Sequence, residues 1–283
     1  MGASILAGVL RSYTKAVNSS QTPVISKFIA TVSSEASAQR LKSRFSDYAN
    51  QLEIQSSGND VAMKKADIVL LGFKPYMVNS VLAKPGVKEA LKGKLVISVL
   101  VGTPPAKIYC AIAGSDDLQY MAQPYEQREY HIRRVMPNMA AEFGEGMSVI
   151  EKNSLAPEYE SIVDWVFLQV GRIAQVTPEL YDLGGVLTGT TSPFFSVALD
   201  GMLDGAVSQG LRRGEANRIL SQTLRGLATM LDNGEHPALV REKAASPRGT
   251  TIAGLLSLEA DGVRAAYSNA IIKATERSIQ IGK

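Results

Sequence analysis

Two stretches of this chain, ADIVLLGFKP (66–75) and GKLVISVLVG (93–102), are almost continuously apolar for about the length of a strand. A strand with one wet face alternates apolar and polar residues, so a strand lacking that alternation must be covered on both faces. Covering both faces takes helices on each side of a parallel sheet, the doubly wound α/β arrangement. KFIATVSS (27–34), IRRVMPN (132–138), GMSVIE (146–151) and GRIAQVT (171–177) supply further strand-like runs. SEASAQRLKSRFSDYA (34–49) reads as a helix with Ser34 available as its cap. AGSDDLQYMAQPYEQREYH (113–131) has little periodicity and carries a proline, which predicts a longer loop.

The texture changes after Thr177. Pro178 suits the first turn of a helix, and from SPFFSVALDGMLDGAVSQGLRRG onward apolar residues recur every three or four positions with no strand-like run. The expected organisation is an α/β domain over residues 1–177 and an all-helical domain over 178–283.

Charge and composition narrow the function classes. Thirty basic residues against 27 acidic ones give a net charge of +3, scattered along the chain without the basic stripe that a phosphate backbone requires, so no nucleic-acid partner is expected. No apolar run reaches the roughly 18 residues of a membrane span. The single cysteine, Cys110, cannot form an internal disulfide, and a reducing compartment, the cytoplasm, is the expected location. His131 and His236 stand far apart, outside any metal-ligand spacing, and read as surface or capping residues; no metal site is expected.

Four short stretches can carry chemistry. MGASILAG at the start resembles the end of a dinucleotide fingerprint, with small residues Gly2, Ala3, Ala7 and Gly8 where helix and sheet approach closely, although any tightly packed helix shares that look. The next strand ends in Val32-Ser33-Ser34, where such a unit meets the adenosine ribose. The two hydroxyls favour NADPH over NADH there, and both serines can equally cap the following helix. Phe73, Lys74 and Pro75 leave a strand at its carboxyl edge, where ligands of doubly wound sheets bind, though a lysine there is often just solvated. Ser246 and Pro247 lead to Gly249-Thr250-Thr251, after which a helix begins: free backbone N–H groups and two hydroxyls suit a carboxylate, and equally an ordinary threonine cap.

Taken together, MGASILAG, the strand ending FKP, RVMPNMAAEFGEGM (134–147), FFSVALDGMLDGAVSQGL (194–211) and SPRGTTIAGLLSLEADGVRAAYSNAI (246–271) resemble the pyrroline-5-carboxylate reductase family, in a fungal-like form, over nearly the whole chain and in the right order. The resemblance implies a Rossmann domain followed by a helical domain that interlocks with a second subunit and helps bind substrate, in a homodimer or larger homo-oligomer. It implies NAD(P)H-dependent reduction of 1-pyrroline-5-carboxylate, a small cyclic imine, to L-proline, the last step of proline biosynthesis. NADPH is the expected cofactor and NADH the alternative. Family roles carried onto matching positions put the cofactor near Gly2, Ser33, Asn59, Phe73, Lys74 and Pro75, with Asn138 near the nicotinamide. The substrate loop falls on Ser246, Gly249, Thr250 and Thr251, and the threonine beside the imine nitrogen, proton donor or positioner, matches Thr251. An iminium carbon accepts hydride readily, so a site poor in histidine suffices when it holds the two reactants face to face.

Some residues depart from the family pattern. Arg248 replaces a usual second glycine, Met139 a common threonine, and LTGTTSPFF (187–195) only loosely resembles a Gly-Ser-Gly-Pro turn. Family members also begin with a central strand and a Gly-x-Gly-x-Met-Gly turn, and this sequence starts at the Met-Gly. The expectation is that the sequence begins at an internal methionine, with a β-branched run and Gly-x-Gly encoded upstream. Two rival readings are a specialised cyclic-imine reductase of secondary metabolism, pointed to by Arg248 and Met139, and a truncated, non-catalytic family member.

Overall fold

The computed structural model of the protein describes residues 1–22, 24–116 and 120–282. Seven strands are present among them: β1 (Phe28–Thr31), β2 (Leu52–Gln55), β3 (Ile68–Leu71), β4 (Leu95–Ser98), β5 (His131–Pro137), β6 (Gly146–Glu151) and β7 (Gly171–Val176). Between them run helices α1 (Gly2–Asn18), α2 (Glu35–Arg44), α3 (Asn59–Lys65), α4 (Val78–Leu82), α5 (Val87–Leu91), α6 (Pro105–Ala113) and α7 (Pro157–Leu168). Then come only helices: α8 (Tyr181–Ser208), α9 (Arg213–Asp232), α10 (Pro237–Ala244), α11 (Thr250–Ala260) and α12 (Val263–Gly282). The chain forms two compact units, one of Met1–Gly189 with Thr275–Lys283, the other of Thr190–Ala274.

The α/β unit is covered on both faces, as its apolar runs require. Val69 and Leu71 of β3 and Val96 of β4 enter one cluster, with Val78, Leu82, Leu91 and Ile108 of α4, α5 and α6. Their neighbours Ile68, Leu70, Leu95 and Ile97 belong to the opposite cluster, with Ile5 and Val9 of α1 and Val163, Val166 and Phe167 of α7. Successive residues thus point to opposite, equally dry faces.

Two sheets share this unit: β1 pairs with β2, and β3 to β7 follow one another in a second sheet, each of β1 and β3 having one strand neighbour. β1–β2 and β3–β4–β5 are parallel, but β5 and β6 are antiparallel, with Val135 opposite Ile150 and Pro137 opposite Ser148. The all-parallel expectation fails there for a geometric reason: the link from Pro137 to Gly146 is a single 3₁₀ turn at Met139–Phe143, too short for a crossover. β2, LEIQ, is a strand the sequence pattern did not reveal, because it is short and only Leu52 is fully buried. The expected long loop is partly ordered. Its residues 117–119 lie outside the described ones, but Tyr120 is buried, stacks on Tyr109 at 3.6 Å between ring centres, and its hydroxyl accepts from the Tyr130 N–H at 2.7 Å. The histidines differ from each other. His236 caps α10 by accepting from the Ala238 N–H, whereas His131 is half-buried against Tyr159 rather than at the surface, and burial lowers its pKa.

Two adjacent arginines on β5 lock the unit from opposite faces. Arg133 donates to the Glu151 carbonyl at 2.6 Å and pairs with Glu160 of α7 at 2.9 Å. Arg134 pairs with the Glu151 carboxylate at 2.5 Å, both side chains under a tenth exposed, and lies 3.8 Å over the ring of Tyr181, the first residue of α8. Burial raises the pKa of the Glu151 carboxyl and Arg134 pulls it back.

In the helical unit only Ala216 is buried. Phe195, Val197, Met202, Ile219, Leu256 and Ile272 all expose more than half of their surface. LTGTTSPFF, read above against a family turn, instead lies wholly inside α8, with Pro193 within the helix. Among the described residues no helix is long and apolar enough to cross a membrane.

Gly8 on α1 shows how tight the packing is. A Cβ there would lie 2.8 Å from the Gln169 carbonyl oxygen and 2.3 Å from a Val170 methyl, so the helix approaches the turn between α7 and β7 through bare backbone. Gly8→Ala is expected to destabilise the protein by about 1–3 kcal/mol, measured by chemical denaturation, because a backbone oxygen cannot move aside as a flexible side chain can.

Candidate functional site

Ligands of a doubly wound sheet bind outside the carboxyl ends of its strands, and most of the candidate residues stand there. α1 starts at Gly2 with no side chain capping its first turn and no acidic residue in it, so its leading N–H groups and positive dipole end remain available to an anion. That end meets the turn leaving β3: a Cβ on Gly72 would come within 3.5 Å of the Gly2 Cα. Phe73 follows, half-buried against the cluster that contains Val69 and Leu71. Lys74 is exposed, and half-buried Pro75 opens a short 3₁₀ turn, Pro75–Met77.

At the end of β1 both alternatives for the serines find a place. Ser34 is the N-cap of α2, its Oγ accepting from the Ser37 N–H at 3.3 Å, while Ser33 is exposed beside it. The Ser34 hydroxyl also donates to Ser37 Oγ at 3.0 Å, and Ser37 Oγ accepts from Arg40 Nη2 at 2.9 Å. A line of two hydroxyls and a guanidinium thus runs along one face of α2. Sequence reasoning missed Ser37 and Arg40, although their spacing of three from Ser34 carried the signal.

Asn59 is the first residue of α3, half-buried after the left-handed Gly58 that follows β2. Asn138 ends β5, and its amide is committed inside the unit: Nδ2 donates to the Thr188 carbonyl and Oδ1 accepts from the Met147 N–H, both at 3.3 Å. It ties β5 to α8 and β6, leaving its neighbour Met139 exposed. Neither asparagine hydrogen-bonds to another candidate.

The remaining candidates share one loop of the helical unit. Ser246-Pro247-Arg248-Gly249 is a turn closed by the Gly249 N–H donating to the Ser246 carbonyl at 3.0 Å. α11 starts at Thr250 with Gly249 as its cap, and no side chain caps it. The threonine-cap alternative is therefore replaced: Thr250 and Thr251 lie within the first helical turn, both exposed. Gly249 sits close to Ser246: a Cβ there would fall 2.3 Å from Ser246 Oγ, which can rotate away, and 3.1 Å from the Ser246 carbonyl oxygen, which cannot.

The groups available are one uncapped helix end and a hydroxyl–guanidinium line in the α/β unit, and a hydroxyl-rich turn in the helical unit. They suit phosphates and a carboxylate. Among the described residues no three His, Cys, Asp or Glu side chains are grouped to hold a metal ion.

Two family models match parts of the chain. Residues 178–281 match the family model described as pyrroline-5-carboxylate reductase dimerisation, and residues 1–102 match the one described as NADP oxidoreductase coenzyme F420-dependent. A pyrroline-5-carboxylate reductase of Lophium arboricola is 37% identical over 100% of this chain and 91% of its own length. One of Neurospora crassa is 35% identical over 97% of this chain and 88% of its own. Among solved structures, the Plasmodium falciparum pyrroline carboxylate reductase with NADP bound has the same fold, with a TM-score of 0.79 at 22% identity, covering 100% of this chain and 95% of that one. Likeness at this level along the full chain establishes that the protein belongs to the pyrroline-5-carboxylate reductase family.

Proposed function

We propose that this protein reduces 1-pyrroline-5-carboxylate to L-proline with NADPH, as a homodimer or larger homo-oligomer in the cytoplasm. The observation that carries the reading is the 37% identity, along the whole chain, to a protein named for that reaction. The uncapped start of α1 beside Gly72 would hold the pyrophosphate, with Asn59, Phe73, Lys74 and Pro75 along the same strand ends. Ser33, Ser34, Ser37 and Arg40 offer hydroxyls and a guanidinium to a 2′-phosphate. NADPH supplies the hydride. Asn138, whose amide is already held on both sides, fixes the backbone where the nicotinamide would lie. Ser246, Gly249 and Thr250 would receive the substrate carboxylate through backbone N–H groups and hydroxyls, and Thr251 would hold the imine nitrogen.

The helical unit supports self-association. A unit with one buried residue and six large apolar side chains more than half exposed has too little core of its own, and a second copy offers matching apolar surface. A single cysteine fits a reducing compartment.

The first test follows NADPH oxidation by the purified protein with pyrroline-5-carboxylate. Turnover to proline is expected, and a folded, NADPH-binding sample that leaves the imine untouched refutes the reading. Arg40→Glu places a carboxylate where the guanidinium stands and is expected to lower kcat/KM with NADPH about a hundredfold while changing that with NADH less than threefold, as the 2′-phosphate alone meets the new charge. Thr251→Val is expected to lower kcat/KM about tenfold, the scale of one lost hydrogen bond, with an unchanged pH profile. A loss of 10²–10⁴ with the alkaline limb displaced would instead make Thr251 the proton donor.

A further inference from the structure

The turn at Ser246–Gly249 holds a residue that its backbone disfavours. The Gly249 N–H closes onto the Ser246 carbonyl, Pro247 takes the second position, and Arg248 in the third has φ 61°. That is the pattern of a type II turn, whose third position needs positive φ and is normally glycine or asparagine. Arginine gains nothing from this conformation and carries the steric cost of a Cβ in the left-handed region.

Local electrostatics do not repay that cost. From residue 235 to 264 the chain has four lysines and arginines. Lys243 pairs with Glu235, and Arg241 and Arg264 both pair with Glu259. Arg248 is exposed and its guanidinium has no acidic or hydrogen-bonding partner among the described residues. It also stands just before α11, where a positive charge opposes the helix dipole. Three of the four cations are paired with an acid within the fold; the fourth is left for something outside it.

We infer that Arg248 is a specificity-determining residue, whose guanidinium pairs with the carboxylate of the imine substrate and selects anionic over uncharged cyclic imines. The inference rests on the reading of this loop as the substrate loop. An arginine fork meets a carboxylate with two parallel N–H donors, adding a charged contact to the backbone donors of Gly249 and Thr250. Because the contact is the same in ground and transition states, it acts on KM.

Arg248→Gly separates function from folding, since glycine is the residue the turn prefers. The melting temperature is expected to rise by about 1–3 °C as the left-handed position is relieved. With pyrroline-5-carboxylate, KM should rise about five- to tenfold while kcat changes less than twofold. With 1-pyrroline, the same ring without the carboxylate, the two proteins should have equal KM. Raising the salt should increase KM for the carboxylate in the parent protein and flatten the difference between the two. Arg248→Lys should recover part of the lost affinity, keeping the charge without the fork. A raised melting temperature with unchanged KM for pyrroline-5-carboxylate overturns the inference and leaves the proposed reaction standing. Failure of the parent protein to turn over pyrroline-5-carboxylate overturns the reaction, and with it the substrate named for Arg248.

Discussion

The α/β unit is organised around the guanidinium of Arg134. It lies between the Glu151 carboxylate and the face of Tyr181, so one side chain of β5 fixes β6 on one hand and the start of α8 on the other. A buried ion pair of this kind adds little net stability, but removing one partner strands a charge in the interior at a cost of about 3–5 kcal/mol. Arrangements in which β6 slips against β5 or α8 starts elsewhere are therefore strongly disfavoured. Asn138 depends on this register, because its two amide bonds reach Thr188 of α8 and Met147 of β6, the same two elements that Arg134 holds.

Arg133 completes the arrangement from the other face. In a strand, neighbours point to opposite sides, and here both sides are dry, so each arginine must find partners within the unit. Arg133 finds the Glu151 carbonyl and Glu160 of α7. Glu151 thus serves both faces, with its backbone on one and its carboxylate on the other. Burial raises the pKa of that carboxyl, and Arg134 beside it works against the rise.

Much of this architecture was legible in the sequence wherever burial dictates residue type. IVLLG (68–72) and LVISVLVG (95–102) are apolar but for Ser98 because both sheet faces are covered, and their alternate residues do enter the two opposite clusters. β2 was not legible, since a four-residue strand with one fully buried side chain carries almost no pattern. The antiparallel course of β6 was hidden in a loop length rather than in the strand. IRRVMP reads as a strand, but nothing in its pattern says that both arginines turn inward, because the acids that neutralise them lie 17 and 27 residues away. The candidate site divides in the same way. Ser34 was recognisable as a cap, whereas Ser37 and Arg40 required a helix face to be read off a spacing. The start of α11 was misplaced by two residues, as the helix begins at Thr250 and Gly249, not a threonine, caps it.

A reaction that needs no strong acid or base leaves a faint trace in composition. Hydride transfer to an imine asks for placement, and placement is made by backbone: an uncapped helix end at Gly2, a turn that brings Gly249 against Ser246, an asparagine whose amide is spent on holding two elements together. Such features use glycine, serine and threonine, residues whose structural and functional uses look identical in a sequence. What distinguishes them is whether the fold has already consumed their hydrogen bonds. Asn138 spends its own on the protein, while the leading N–H groups of α1 and the guanidinium of Arg248 keep theirs, and it is at these unspent groups that a ligand can gain binding energy without taking it from folding.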